Sequence, residues 1–80
     1  MMNPRIKEVK PSSKDFTLTL TFENGEGGIF DVKPYLDIGI FKELKDFGLF
    51  NSVKPFMGSI QWVNGQDLCP DTLYMESVIQ

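Results

Sequence analysis

Two Asn-Gly dipeptides, Asn24-Gly25 and Asn64-Gly65, each stand between short apolar runs. Asn-Gly in that setting is the strongest short-range signal for a two-residue β-hairpin, because a type I′ turn needs φ > 0 at both central residues. A chain with two such turns is committed to antiparallel pairing, and its other residues must supply the faces. The second turn lies within Ile60-Gln61-Trp62-Val63-Asn64-Gly65-Gln66-Asp67-Leu68-Cys69-Pro70, which holds the only tryptophan and the only cysteine. A two-residue loop there makes residues 60–63 one strand and 66–69 its return, and sets Trp62 opposite Asp67. The indole N–H then has a carboxylate to donate to, or Asp67 accepts amides from the turn. A surface patch of Trp62, Asn64 and Asp67 is the functional alternative, since exposed tryptophan is enriched at binding hot spots.

Residues 16–23 are the clearest strand. Phe16, Leu18, Leu20 and Phe22 fall on one face and Thr17, Thr19 and Thr21 on the other, as period-two alternation requires. After a two-residue turn at Asn24-Gly25, Leu20 pairs with Ile29 and Leu18 with Asp31. Cross-strand partners share a face, so Ile29 points inward, Phe30 outward and Asp31 into the core, where a carboxylate is costly without hydrogen bonds. A bulge near Gly27-Gly28 shifts the register by one and turns Phe30 and Val32 inward instead. The glycine pair favours the bulge; an outward Phe30 would need a partner or a covered second face.

The remaining segments read as short elements. Residues 5–10 suggest a first strand with a bulge or helical turn, since Ile6 and Val9 are three apart. Pro11-Ser12-Ser13-Lys14-Asp15 is a turn cluster. Pro34 can open a helical turn, and Ile38-Gly39-Ile40 is a break. Residues 40–53 read as two short helical turns interrupted by Gly48, with Asp46 as N-cap of the second. Lys54-Pro55-Phe56-Met57-Gly58 reads as a connector. A short terminal helix follows Pro70, capped by Pro70 or Asp71.

Eighty residues make one domain near the lower size limit for folding without staples. The core must therefore come from a few large side chains, chiefly the seven Phe, two Tyr and one Trp. The net charge of −3 and the spread of all eight basic residues between Arg5 and Lys54 leave no basic stripe for a nucleic acid. One cysteine forms no internal disulfide and points to a reducing compartment. The opening Met1-Met2-Asn3-Pro4-Arg5 has no apolar stretch of the kind a signal peptide carries, and no run approaches the ~20 apolar residues of a membrane helix. The expectation is a soluble cytoplasmic protein.

Chemistry is sparse. Histidine is absent, which removes the commonest general base and metal ligand and with it Ser-His or Cys-His pairs. One cysteine does not make a zinc site. Gly25-Glu26-Gly27-Gly28 lacks the lysine and spacing of a phosphate loop. Cys69 is flanked by Asp67 and Asp71, which raise a thiol pKa, so it reads as a small buried hydrophobe. Asp67 and Asp71 as a hydrolytic pair are far less expected than as turn and cap residues. No catalytic, cofactor-binding or metal residue is assigned.

Several runs together carry a family resemblance: Leu20-Thr21-Phe22-Glu23-Asn24-Gly25-Glu26, Ile29-Phe30-Asp31-Val32-Lys33-Pro34-Tyr35-Leu36, Gly39-Ile40-Phe41-Lys42-Glu43-Leu44-Lys45-Asp46, Leu49-Phe50-Asn51-Ser52-Val53, Ile60 through Leu68, and Pro70-Asp71-Thr72-Leu73-Tyr74. The chain resembles the small bacterial family catalogued as domain of unknown function 2442, most specifically in Trp62-Val63-Asn64-Gly65-Gln66-Asp67-Leu68. Gly27 and Gly28 depart from it, standing where that family usually has an apolar and a polar residue. The resemblance implies a small antiparallel α+β fold. It also implies kinship with the N-terminal half of some helix-turn-helix proteins, and with members that sit beside a second small protein as in a toxin–antitoxin pair. It supplies no catalytic residues.

The expectation is a single α+β domain over residues 1–80, with about five antiparallel strands and short helices in the order β-β-β-α-β-β-α. Its core comprises Ile6, Phe16, Leu18, Leu20, Phe22, Ile29, Leu36, Phe41, Leu44, Leu49, Phe50, Val53, Ile60, Trp62, Leu68 and Leu73. The leading functional expectation is a non-enzymatic protein-interaction module, antitoxin-like, using Phe30, Trp62, Asn64 and Asp67. Its partner would be another small protein encoded nearby, with a homodimer as an alternative and no nucleic acid, membrane or cofactor involved. The competing expectation is a small-ligand sensing domain, which needs an aromatic-lined pocket of at least ~300 Å³.

Overall fold

Both Asn-Gly loops close over three residues, not two. In the computed structural model, which describes residues 3–80, Gly25 N donates to the Phe22 carbonyl (3.0 Å) and Phe22 N to the Glu26 carbonyl (2.8 Å). The second loop repeats the pattern, with Gly65 N on the Trp62 carbonyl and Trp62 N on the Gln66 carbonyl, both 2.9 Å. Gly25 and Gly65 each have φ of +90°, while neither asparagine has positive φ. This is a tight turn followed by a left-handed glycine that forms a bulge. The asparagine side chains reinforce it: Asn24 Oδ1 accepts from Glu26 N and Asn64 Oδ1 from Gln66 N, each at 3.0 Å, the local bond that suits Asn to turns.

The extra loop residue sets the register. Strand β2 (Thr17–Phe22) pairs with β3 (Gly27–Asp31) so that Leu20 meets Gly28 and Leu18 meets Phe30. Phe30 and Val32 are fully buried and Ile29 is 39% exposed. The outward Phe30 and the inward Ile29 are therefore corrected. The one-residue shift is the expected one, but it arises at Gly25 in the turn and not at Gly27-Gly28. Gly28 has a different task. A Cβ there would lie 3.1 Å from Ser77 Cβ, 3.3 Å from Ile79 Cδ1 and 3.4 Å from Phe22 Cε2, so its missing side chain lets the C-terminal segment close over β3.

Strand β1 (Ile6–Ser12) pairs with β2 and carries a register shift between Ile6 and Glu8, the bulge that the three-residue spacing of Ile6 and Val9 suggests. It runs on through Pro11 and Ser12, which the sequence pattern places in a turn. Phe16 lies before β2 at φ 53°.

Strand β4 (Lys54–Phe56), read as a connector, pairs with β5 (Ser59–Gln61) across a two-residue loop, and β5 pairs with β6 (Asp67–Leu68). Met57 and Gly58 in that loop have φ of 50° and 84°, so the two-residue turn with both central residues left-handed is Met57-Gly58. Strand β7 (Val78–Ile79) pairs with β3 where the terminal helix was expected to continue.

The result is two antiparallel sheets, ordered β1-β2-β3-β7 and β4-β5-β6, in a mixed α+β chain, and not one sheet of five strands. Pro55 gives a reason for the split. It sits opposite Ile60, one step from the pair that closes the hairpin, so its nitrogen faces the outer edge of β4, where proline offers no donor to a further strand. The sheets meet through a backbone bond from Ile6 N to the Gly58 carbonyl (2.9 Å).

Between them, Pro34 sits in a 3₁₀ turn, Lys33–Tyr35, followed by a second, Gly39–Lys45, and by helix α1 (Phe47–Phe50). Asp46 caps α1 as expected, accepting from Leu49 N at 2.8 Å. Helix α2 (Pro70–Glu76) begins with Pro70 at its first position and Cys69 as the cap. The core is Ile6, Leu18, Leu20, Phe22, Phe30, Val32, Leu36, Leu44, Phe50, Val53, Ile60, Trp62, Leu68 and Leu73, with Phe16, Phe41 and Leu49 packed at its margin. Met1 and Met2, part of the opening read as lacking a signal sequence, lie outside the described residues; among those described, no helix is long and apolar enough to cross a membrane.

The register makes a direct prediction. In urea unfolding, Phe30→Ala loses about 3–5 kcal/mol, the usual cost of emptying a buried phenylalanine site. Ile29→Ala, on the open face, loses about 1 kcal/mol or less. The opposite order would mean that the two-residue register holds.

Candidate functional site

The four residues proposed for a partner surface do not form one. Trp62 is buried, and its Nε1–H donates to the Phe50 carbonyl at 3.0 Å, not to Asp67. The register explains this, because Gln61 stands opposite Asp67 while Trp62 meets Gln66. Phe41 packs edge-on to the indole at 6.4 Å and Phe50 packs tilted at 6.3 Å. Phe30 is buried and stacks on Tyr35 at 5.8 Å. Tyr35 contacts Phe41 at 5.5 Å, and Phe50 contacts Phe16 at 5.2 Å. The rings thus run in series, Phe30, Tyr35, Phe41, Trp62, Phe50, Phe16, from the four-stranded sheet into the three-stranded one and back. Trp62 and Phe30 belong to the interior, which corrects their place in a surface patch.

Asn64 is half-buried and holds its loop to the second 3₁₀ segment, Nδ2 donating to Glu43 Oε1 at 3.0 Å. Ser52 Oγ accepts from Val63 N at 3.2 Å and ties the same loop to the end of α1. Asp67 alone of the four is exposed as expected.

Cys69 is also corrected. It is exposed, and its Sγ sits 3.1 Å from Thr72 Oγ1 and accepts from Thr72 N at 3.5 Å. Those hydrogen bonds pull the thiol below its ordinary value of 9.0 despite the opposing charge of Asp71. The cysteine replaces Pro70 and Asp71 in the capping role because its position, not theirs, has extended backbone before the first helical residue.

Two tyrosine–carboxylate contacts fasten α2 to the body. Tyr35 Oη donates to Glu76 Oε1 and Tyr74 Oη to Glu26 Oε1, both at 2.6 Å, and Tyr74 packs edge-on to Phe22 at 5.1 Å. The bond to Glu76, aided by burial, pushes Tyr35 up to about 12. The bonds from Tyr74 and Asn24 hold Glu26 below the ordinary carboxylate value. The two exposed ion pairs, Asp31 with Lys33 and Asp37 with Lys45, are of the kind worth ~0–1 kcal/mol.

Among the described residues no pocket opens, so the aromatic-lined cavity needed by the ligand-sensing expectation is not found. No group of three or more His, Cys, Asp or Glu among them is placed to hold a metal ion. What the sequence reading missed is the exposed apolar surface. Met57 is 82% exposed, Met75 76%, Val63 74% and Val78 68%. Val78 is the cross-strand partner of Ile29 on the open sheet face, and Phe56 adjoins Met57. The sequence signal for the Met57 part of it is the Met-Gly pair between two short runs, a weak one because Asn or Asp is the usual residue before Gly in such a turn.

A protein-family model matches residues 6–78, from the first residue of β1 to the first of β7. The chain belongs to the family described as Protein of unknown function (DUF2442). The match covers both Asn-Gly loops and every strand apart from the last residue of β7, so the two-sheet body lies within DUF2442 bounds. No curated protein and no solved structure matches the chain.

Two predictions arise here. Trp62→Phe leaves the buried Phe50 carbonyl without its donor and costs about 1–3 kcal/mol in chemical denaturation. The pH dependence has a fixed sign. Glu26 has a depressed folded pKa, so its contribution is present above its ordinary value of 4.5 and disappears as pH falls through the folded value. Tyr35 has a raised one, so its contribution is present below 10.0 and disappears as pH rises towards 12. Thermal melting against pH should slope down on both sides of that window. Tyr74→Phe should flatten the acid limb and Tyr35→Phe the alkaline limb.

Proposed function

We propose that this DUF2442 chain is a non-enzymatic protein-interaction module, the antitoxin-like half of a pair with another small protein encoded beside it. The observation that carries the reading is where the apolar side chains go. The interior closes over Phe30 and Trp62, yet contiguous apolar groups stay in water on ordered elements: Phe56 at the end of β4 with Met57 in the β4–β5 loop, and Ile29 with Val78 across the β3–β7 pair. Single exposed apolar residues need no explanation, whereas larger contiguous apolar patches are the usual mark of contact surfaces. The net charge of −3 adds a preference for a basic partner overall, which would act on the rate of encounter.

Co-expression tests it. The chain and the product of the neighbouring gene should elute together and give a defined stoichiometry by light scattering at micromolar concentration. A chain that stays monomeric beside that product removes the reading.

A further inference from the structure

We propose that the Phe56-Met57 tip of the β4–β5 hairpin, with the Arg5 guanidinium beside it, is the anchor by which this chain docks on a protein, and that its counterpart is an apolar pocket bordered by a carboxylate. The inference rests on the interaction reading above and identifies the contact patch.

Met57 is placed against both of its intrinsic preferences. Its φ of 50° is a left-handed conformation that side chains with a Cβ avoid and that glycine, asparagine and aspartate tolerate. Its side chain is the most exposed large apolar group among the described residues, at 82%. The chain has Asn-Gly at two other loops, where asparagine keeps φ below zero, and has Met-Gly at the loop that takes both central residues left-handed. A residue that conformation and hydration both oppose, held in an ordered turn, is what a contact residue looks like before its partner arrives.

Phe56 precedes it and is 43% exposed. Arg5 supplies the polar component. Its side chain crosses the turn over Gly58, where a Cβ would come within 2.5 Å of Nη1 and 3.0 Å of Cδ. Gly58 is thus required by its own φ of 84°, and its missing side chain leaves room for the arginine to lie across the turn. Nη1 reaches the Met57 carbonyl only at 3.5 Å, and among the described residues the ion pairs are Asp31 with Lys33 and Asp37 with Lys45, so Arg5 has no carboxylate partner. Lys54, at the base of the same hairpin, has none either. Aromatic, methionine and arginine side chains are the types enriched at the centres of protein interfaces, and the donors of Arg5 match a carboxylate in a fork geometry.

An apolar tip with basic neighbours also suits an anionic bilayer. Against that, the whole chain carries −3 and is repelled by such a surface. Two side chains also bury less than a single acyl chain, which by itself gives only marginal membrane binding. The charge argument therefore favours a protein.

The test titrates the full chain into the purified product of the neighbouring gene by calorimetry, for wild type, Met57→Asn, Phe56→Ser and Arg5→Gln, with Ile38→Ser, exposed and outside both apolar pairs named above, as a control. Met57→Asn should fold and melt at a higher temperature than wild type, since asparagine suits the turn, while binding about tenfold or more weakly. Phe56→Ser and Arg5→Gln should also weaken binding, and Ile38→Ser should bind like wild type. If wild type binds and Met57→Asn binds equally well, the anchor is wrong and the interaction reading stands. If wild type does not bind at all, both fall. Co-sedimentation of wild type, but not Met57→Asn, with phosphatidylglycerol vesicles would overturn the choice of a protein in favour of lipid.

Discussion

The hydrogen bond from the Trp62 indole to the Phe50 carbonyl, with the rings packed around it, is the contact on which the two sheets depend. Each sheet is small. The three-stranded one has strands of three, three and two residues, too little to stand alone in water. The ring series from Phe30 through Tyr35 and Phe41 to Trp62 and Phe50 gives both sheets a shared interior. Aromatic contacts of this kind contribute about 0.5–1.5 kcal/mol each beyond their burial. In a chain of this size such increments are a sizeable part of the net stability. Among the described residues no buried side-chain nitrogen or oxygen is left without a partner.

How far the fold could be read from the sequence depends on the kind of signal. Alternation over Leu18, Leu20 and Phe22 against Thr17, Thr19 and Thr21 is a strong local pattern, and β2 follows it. Trp62, Leu44 and Leu73 were legible as core because a chain this small needs large apolar groups to close an interior, although Met57 and Met75 show that not all of them go there. The loop type at Asn24-Gly25 was not legible, because a left-handed glycine serves both the two-residue and the three-residue turn. Only the pairing partner of Phe22 separates them. β4 was hidden by Pro55, which reads as a strand breaker until its nitrogen is known to face an edge. β7 was hidden by its length of two residues; its pairing with β3 is set by Gly28 some fifty positions earlier.

The candidate site was legible in part. Asn64 is a turn residue and Asp67 lies on the return strand, as the hairpin reading has them, and the buried alternative for Trp62 is the one observed. The exposed apolar positions were invisible because exposure is decided by what the rest of the fold leaves uncovered. Cys69 illustrates the same limit. Counting its acidic neighbours along the chain gives the wrong sign for its thiol, since the nearer influence is the Thr72 hydroxyl and amide one turn ahead.

That the sole tryptophan sits at the junction has a spectroscopic meaning. Its emission reports whether the two sheets are docked, and only indirectly whether either sheet is formed. Partial opening that left strand pairing intact would shift the fluorescence to longer wavelength while the far-ultraviolet circular dichroism stayed unchanged. One natural chromophore therefore separates association of the two halves from their secondary structure, without any label being added.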